Sequence, residues 1–149
     1  MASSSSDISS AIGKSTRTGF GTVTPYLIVE SIDPFVTFLQ NAFGGKETYR
    51  SQGKGGGWHC EVQIGDTMIM IGGDRPLKKD STFTPVPITL FLYVADIDNV
   101  YKAAIAAGGK SQMEPIDDFA GNNARGASII DPFGNTWYMA TEKATTSAN

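Results

Sequence analysis

His59 and Glu61 stand two residues apart in the run Trp58-His-Cys-Glu-Val-Gln-Ile64. On a β-strand that spacing turns both side chains to one face. An imidazole there can move a proton near neutral pH, and the carboxylate beside it would hold the ring in place. Arg125 is the matching cation, able to take a carboxylate, phosphonate or enolate oxygen through two N–H donors. In that reading the three are catalytic residues of an acid–base site, with Arg125 stabilising developing negative charge. Each has a plainer reading beside it. His59 can be a satisfied structural residue, Glu61 can pair with Arg125 as a structural ion pair across the sheet, and Arg125 can instead pin the stretch from Glu114 to Asn123. A metal held by His59 and Glu61 alone would be weakly bound, with only two protein ligands.

The elements that must position these residues come in two copies. Thr-Pro-Tyr-Leu-Ile-Val-Glu-Ser-Ile-Asp begins at Thr24, and Thr-Leu-Phe-Leu-Tyr-Val-Ala-Asp-Ile-Asp begins at Thr89, a shift of 65 residues. The first copy reads as a buried strand within 21–30, then a helix opened by Asp33-Pro34 and closed by Gly44-Gly45. Residues 51–57 read as a loop, and strands at 58–64 and 67–71 meet at a tight turn on Gly65-Asp66. A polar linker spans 72–87. The second copy gives a strand at 89–95, a helix at 97–107, a strand near 110–113, a long loop over 114–123, and strands at 125–130 and 136–140. The order is β-α-β-β-β twice.

Strand alternation then sorts the faces. His59, Glu61 and Gln63 share one face, and Cys60, Val62 and Ile64 pack on a helix, so Cys60 reads as a small buried hydrophobe. Tyr26, Ile28, Thr89, Phe91, Tyr93, Thr136 and Tyr138 fall on the polar side. Of these, Tyr26, Thr89, Phe91, Tyr93 and Tyr138 are the candidate ligand-binding residues, with core filling the competing role for the tyrosines. Aligning Ile64 with Ile130 puts Arg125 opposite His59. The glycines of 53–57 lack the Gly-Lys-Ser/Thr ending of a phosphate-binding loop.

Composition narrows the class. With 149 residues and 40% apolar content the chain can bury one core. The expected organisation is a Ser-rich disordered tail at 1–19, one domain at 20–143 made of repeats 20–73 and 87–143, and a flexible tail at 144–149. A transit peptide is the competing reading of the Ser/Thr-rich start. A net charge of -3 with 12 scattered basic residues offers no footprint for nucleic acid. No apolar run is long enough to span a membrane. One cysteine excludes an internal disulfide and suits a reducing, cytoplasmic setting.

The motifs Pro-Tyr-Leu-x-Val at 25–29, Ala-Phe-Gly-Gly at 42–45, His-x-Glu-x-x-Ile-Gly-Asp at 59–66 and Arg-Gly-x-x-x-x-Asp-Pro-Phe-Gly-Asn-x-Trp at 125–137 occur in order on this frame. Together they resemble the vicinal oxygen chelate superfamily of glyoxalases, bleomycin-resistance proteins and dioxygenases, and its PhnB-like branch most. The resemblance implies an α+β fold of two tandem βαβββ modules, with mixed sheets curled around a cavity. It implies a small-molecule ligand and a homodimer, two chains pairing to complete the site in many members. Metal-dependent members place ligands at positions that fall here on Thr24, Thr89, Tyr138 and either Ile69 or Met70. Hydroxyl and thioether groups suit their divalent ions poorly, so a metal-independent binder is expected and no cofactor. A lyase- or isomerase-type activity is an open extension. The alternatives are a metal enzyme with an atypical ligand set, and a drug-sequestering or scaffold protein.

Overall fold

The computed structural model describes residues 5–13, 15–76, 84–121 and 123–143. The linker expected at 72–87 lies partly, and the tail at 144–149 wholly, outside them. Ahead of the first module, within the stretch read as a tail, α1 (Ser5–Ala11) is helical. The first module then runs β1 (Tyr26–Ile28), α2 (Ile32–Phe43), β2 (Lys46–Gln52), β3 (Trp58–Ile64) and β4 (Thr67–Gly73). The second runs β5 (Thr89–Tyr93), α3 (Ile97–Ala106), β6 (Lys110–Ile116), a short 3-10 turn (Phe119–Gly121), β7 (Ala124–Ile130) and β8 (Thr136–Glu142). The strand order is β1-β4-β3-β2 in one sheet and β5-β8-β7-β6 in the other. In each, the first strand pairs in parallel with the last, and the other pairs are antiparallel.

The tandem βαβββ frame is therefore present, but the expected curled sheets around a cavity are not. Each sheet is open and four-stranded, with β1 and β2, or β5 and β6, left as edges, and no strand pairing joins the two sheets among the described residues. The reason lies in how the modules meet. Helices α2 and α3 pack on each other, and a single apolar cluster joins Leu27, Phe35, Leu39, Val62 and Ile71 of the first module to Ile97, Ala127, Ile129, Trp137 and Met139 of the second. Phe35 sets its ring edge-on to Phe133 at 5.0 Å, and Phe43 meets Trp137 at 4.7 Å. The helical sides of the sheets thus share one core. Their other faces, which carry His59, Glu61, Tyr26 and Tyr138, look away from it.

Local chemistry fixes the helices. Asp33 was expected to cap α2, but the N-cap is Ser31, which makes no side-chain cap bond. The Ile32 N–H donates instead to Asp74 Oδ2 at 3.1 Å, a carboxylate from beyond the far end of β4. In α3 the matching Ile97 N–H donates to Thr141 Oγ1 at 3.0 Å, and Asp96 caps through the Asn99 N–H. Gly44 closes α2 with a left-handed φ of 67°, which glycine adopts without steric cost. The Asp-Pro-Phe-Gly-Asn-x-Trp motif is a buried hydrogen-bond knot. Asp131 accepts the Phe133 and Asn135 N–H groups, the Asn135 side-chain amide and the Trp137 indole N–H. Asn135 Oδ1 then accepts the Ile88 N–H, tying the approach to β5 onto the same turn.

Candidate functional site

Strand β3 lies between β2 and β4, so its outer-face side chains sit mid-sheet. Glu61 is almost fully buried there. The Nε2–H of His59 donates to the Glu61 carboxylate, Oε2 lying at 2.9 Å, and Nδ1 lies 3.5 Å from Tyr26 Oη. The rings of Tyr26 and Tyr49 flank the imidazole at 5.7 and 6.3 Å. A fifth group, Arg17, from the stretch expected to be a tail, completes the cluster. Arg17 donates through Nη1 to Glu61 Oε2 at 2.8 Å and through Nη2 to Oε1 at 3.0 Å. This fork holds the Glu61 carboxyl below the usual carboxylate range; burial opposes it, and His59 adds to it. Cys60 faces the helical side as expected. Burial, then the Glu47 carboxylate at its Sγ, push its thiol up to about 12, so it is an inert core group.

Arg125 does not join His59. Val62 pairs with Ile69 in the first hairpin and Ile129 with Trp137 in the second. Because Ile69 and Trp137 are both core residues, Val62 corresponds to Ile129 rather than Gln63. With Val62 on Ile129 the counterpart of Ile64 is Asp131, so equating Ile64 with Ile130 slips the register by one residue and turns every side chain to the other face. The counterparts of His59 and Glu61 are Gly126 and Ser128. Arg125 lies on the helical side, where Nε and Nη2 clamp Asp98 in the first turn of α3 at 3.0 and 2.9 Å. Its Nη1 reaches Asp117 at 3.4 Å. The Asp98 fork raises the Arg125 pKa and lowers that of Asp98. The first module repeats the device with Arg50 on Asp33 at 2.6 Å. These contacts tie β7 to the first turn of α3 and, through Asp117, to the stretch after Glu114.

The predicted ligand-binding residues divide. Tyr26 belongs to the His59 cluster. Thr89 opens β5 opposite Thr136. Tyr138 packs beside Phe119, whose ring seats directly over Gly126 where a Cβ would come within 2.5 Å of it. Phe91 and Tyr93 reach a cavity of about 620 Å3 between the modules. Phe43, Ile64 and Ile69 line it from one side, and Leu90, Leu92, Val94, Val100, Ala103 and Trp137 from the other, with Asp66 and Asn99 among its polar groups. His59, Glu61 and Arg125 are not in its lining.

Ile32 and Ile97 both begin their helices, so the shift of 65 matches Phe35 with Val100, Phe38 with Ala103 and Leu39 with Ala104. Three large side chains in α2 become one small and two minimal ones in α3. Val100 and Ala103 line the cavity, whereas Ala104 packs in the shared core.

The positions at which related metal enzymes hold their ion carry unsuitable donors. Met70 pairs with Tyr26 in the parallel ladder and Tyr138 with Phe91, which makes Met70, not Ile69, the counterpart of Tyr138. Thr24 spends its hydroxyl on the Gly21 carbonyl. Thioether, phenol and hydroxyl do not form the nitrogen and carboxylate set a divalent ion needs, and among the described residues no three His, Cys, Asp or Glu side chains converge. No described helix is long and apolar enough to cross a membrane.

Comparison with known proteins agrees with this frame. Uncharacterized proteins of Mycobacterium tuberculosis and Mycobacterium bovis are 28% identical over 124 residues, spanning 78% of this chain and 72% and 80% of theirs. The crystal structure of TioX from Micromonospora sp. ML1 superposes with a TM-score of 0.60 at 18% identity, covering 81% of this chain and 99% of that one. A PhnB protein from Bacillus cereus gives 0.59 at 18% identity with the same coverage. A glyoxalase I variant of Zea mays gives 0.63 at 16% identity, over 77% of this chain and 42% of that one. These likenesses carry the fold. The match of residues 19–139 to the family profile carries the membership: the chain belongs to the glyoxalase/bleomycin resistance protein/dioxygenase superfamily.

Proposed function

We propose that this protein binds a small, largely apolar organic molecule in the cavity between its modules, without a metal, as a binder first and not through the His59 cluster. The observation that carries this reading is the cavity itself. Its volume of about 620 Å3 falls within the ~300–1,000 Å3 usual for small-molecule sites, and it is walled by aromatic and aliphatic groups. Asp66 and Asn99 are placed to orient a ligand's polar end. An open cavity also speaks against a scaffold whose interior is filled by side chains.

A proton-moving, lyase- or isomerase-like role for the His59–Glu61 pair is the second reading, favoured by their 2.9 Å hydrogen bond. It would belong to the outer face of the first sheet, apart from the cavity and without Arg125.

The homodimer belongs to the same proposal. The outer face of the second sheet leaves Phe91 and Tyr93 half exposed or more, and β5 is an unpaired edge. A second copy laid over them would bury both. Native mass spectrometry of the protein as purified from its host tests the two points together. The proposal expects a mass of two chains and an added small-molecule mass lost on collisional activation. Monomers that carry nothing, and take up no apolar probe, would contradict it.

A further inference from the structure

The Arg17–Glu61 fork joins very unequal partners. The carboxylate is 1% exposed and built into the middle strands of a sheet, whereas the guanidinium is 61% exposed and comes from a segment ahead of the fold. A buried carboxylate without a partner is costly, yet the fold does not demand a charge there. The second module fills the equivalent position with Ser128, whose hydroxyl donates to Gln112 Oε1 at 2.9 Å. The carboxylate is thus an addition peculiar to one module.

What surrounds it is shaped for a planar cation. Two parallel N–H···O bonds match the spacing of a guanidinium or amidinium. His59 fixes one oxygen from the side, and its ring lies 5.7 Å from that of Tyr26 and 6.3 Å from that of Tyr49. Arg17 also lies over its own Phe20 ring at 4.5 Å, so the guanidinium retains a partner when it leaves the carboxylate. Residues 15–19 are all exposed, so the release of Arg17 opens no core.

We propose that the Glu61 carboxylate is a recognition site for an organic cation of the amidinium or guanidinium class, and that Arg17 occupies it as an internal stand-in which the ligand displaces. The arm competes at the high effective concentration of a tethered group. The free protein therefore presents the site mostly closed, and apparent affinity is reduced by the open fraction. The site lies on the outer face of the first sheet and is independent of the apolar cavity proposed above.

Titration calorimetry with benzamidinium chloride on the full chain tests this. Arg17→Ala is expected to bind benzamidinium at least tenfold more tightly than the unaltered protein, about 1.4 kcal/mol. Adding Glu61→Gln to that variant should abolish binding, and the neutral isostere benzamide should not bind at all. A substitution that fills the apolar cavity, Ala103→Phe, should leave the benzamidinium affinity unchanged, which separates this proposal from the cavity reading. If Arg17→Ala fails to fold, Arg17→Gln keeps an N–H donor to the carboxylate without the charge and carries the same test. Equal affinities with and without Arg17, binding that survives Glu61→Gln, or equal binding of benzamide would each overturn the proposal.

Discussion

The two modules share a frame and divide its tasks. The first buries six residues of its helix, Ile32, Phe35, Val36, Phe38, Leu39 and Ala42, whereas the second buries only Ile97 and Ala104. On the outer faces the contrast runs the other way in chemistry. The first carries a charged cluster of His59, Glu61 and Arg17, and the second an apolar one of Phe119, Ala124 and Ala140 with Met113 and Tyr138. Duplication supplied two sets of equivalent positions, and each set was released from one duty by the other. α2 supplies most of the helical side chains of the shared core, and α3, with its alanines, borders the cavity.

The largest test of that asymmetry is stability. Phe35→Ala in α2 should cost about 3–5 kcal/mol, as emptying a fully buried aromatic site does. Its counterpart change in α3, Val100→Ala, removes a half-buried side chain and should cost about 1 kcal/mol. Urea midpoints measure both, and equal losses would mean that the core is shared evenly.

A smaller effect concerns the outer faces. The Glu61 pKa is lowered in the folded state, so its contribution to stability is present above the ordinary carboxylate range and is lost as pH falls through the depressed value. The Ser128 position in the second module has no such titration. Glu61→Gln should therefore shallow the loss of stability as pH falls from the ordinary carboxylate range through the depressed value, followed by urea midpoints at each pH. An unchanged acid limb would show that the Arg17 fork contributes nothing to the folded state.

Much of the fold was legible because it rests on local rules. The repeat, the glycine stop at Gly44, the Gly65-Asp66 turn and the burial of Cys60 all follow from spacing and alternation. The strand ends were less so. The first strand is only Tyr26–Ile28, and β6 runs past Pro115 to Ile116 as an edge strand, where a missing N–H is tolerated. The site failed on two particulars. Arg17 sits in a serine-rich stretch whose composition argues for no contact, and only the folded chain brings it to Glu61. Aligning Ile64 with Ile130 slips the strand by one residue, and alternation converts that slip into a full reversal of the face Arg125 takes. The curled sheets came from the resemblance and not from the residues, and strand pairing, which no single sequence states, decided against them.

The central claim is that the second module's lost volume makes the ligand site. Ala103→Phe restores at that position the side chain its counterpart Phe38 carries in the first module, and should fill the cavity from the α3 side. Fluorescence titration with 1-anilinonaphthalene-8-sulfonate measures the result. The account predicts saturable binding of the dye to the unaltered protein and a loss of at least tenfold in affinity in the variant, with the fold retained. Unchanged dye affinity in a folded Ala103→Phe protein would contradict it.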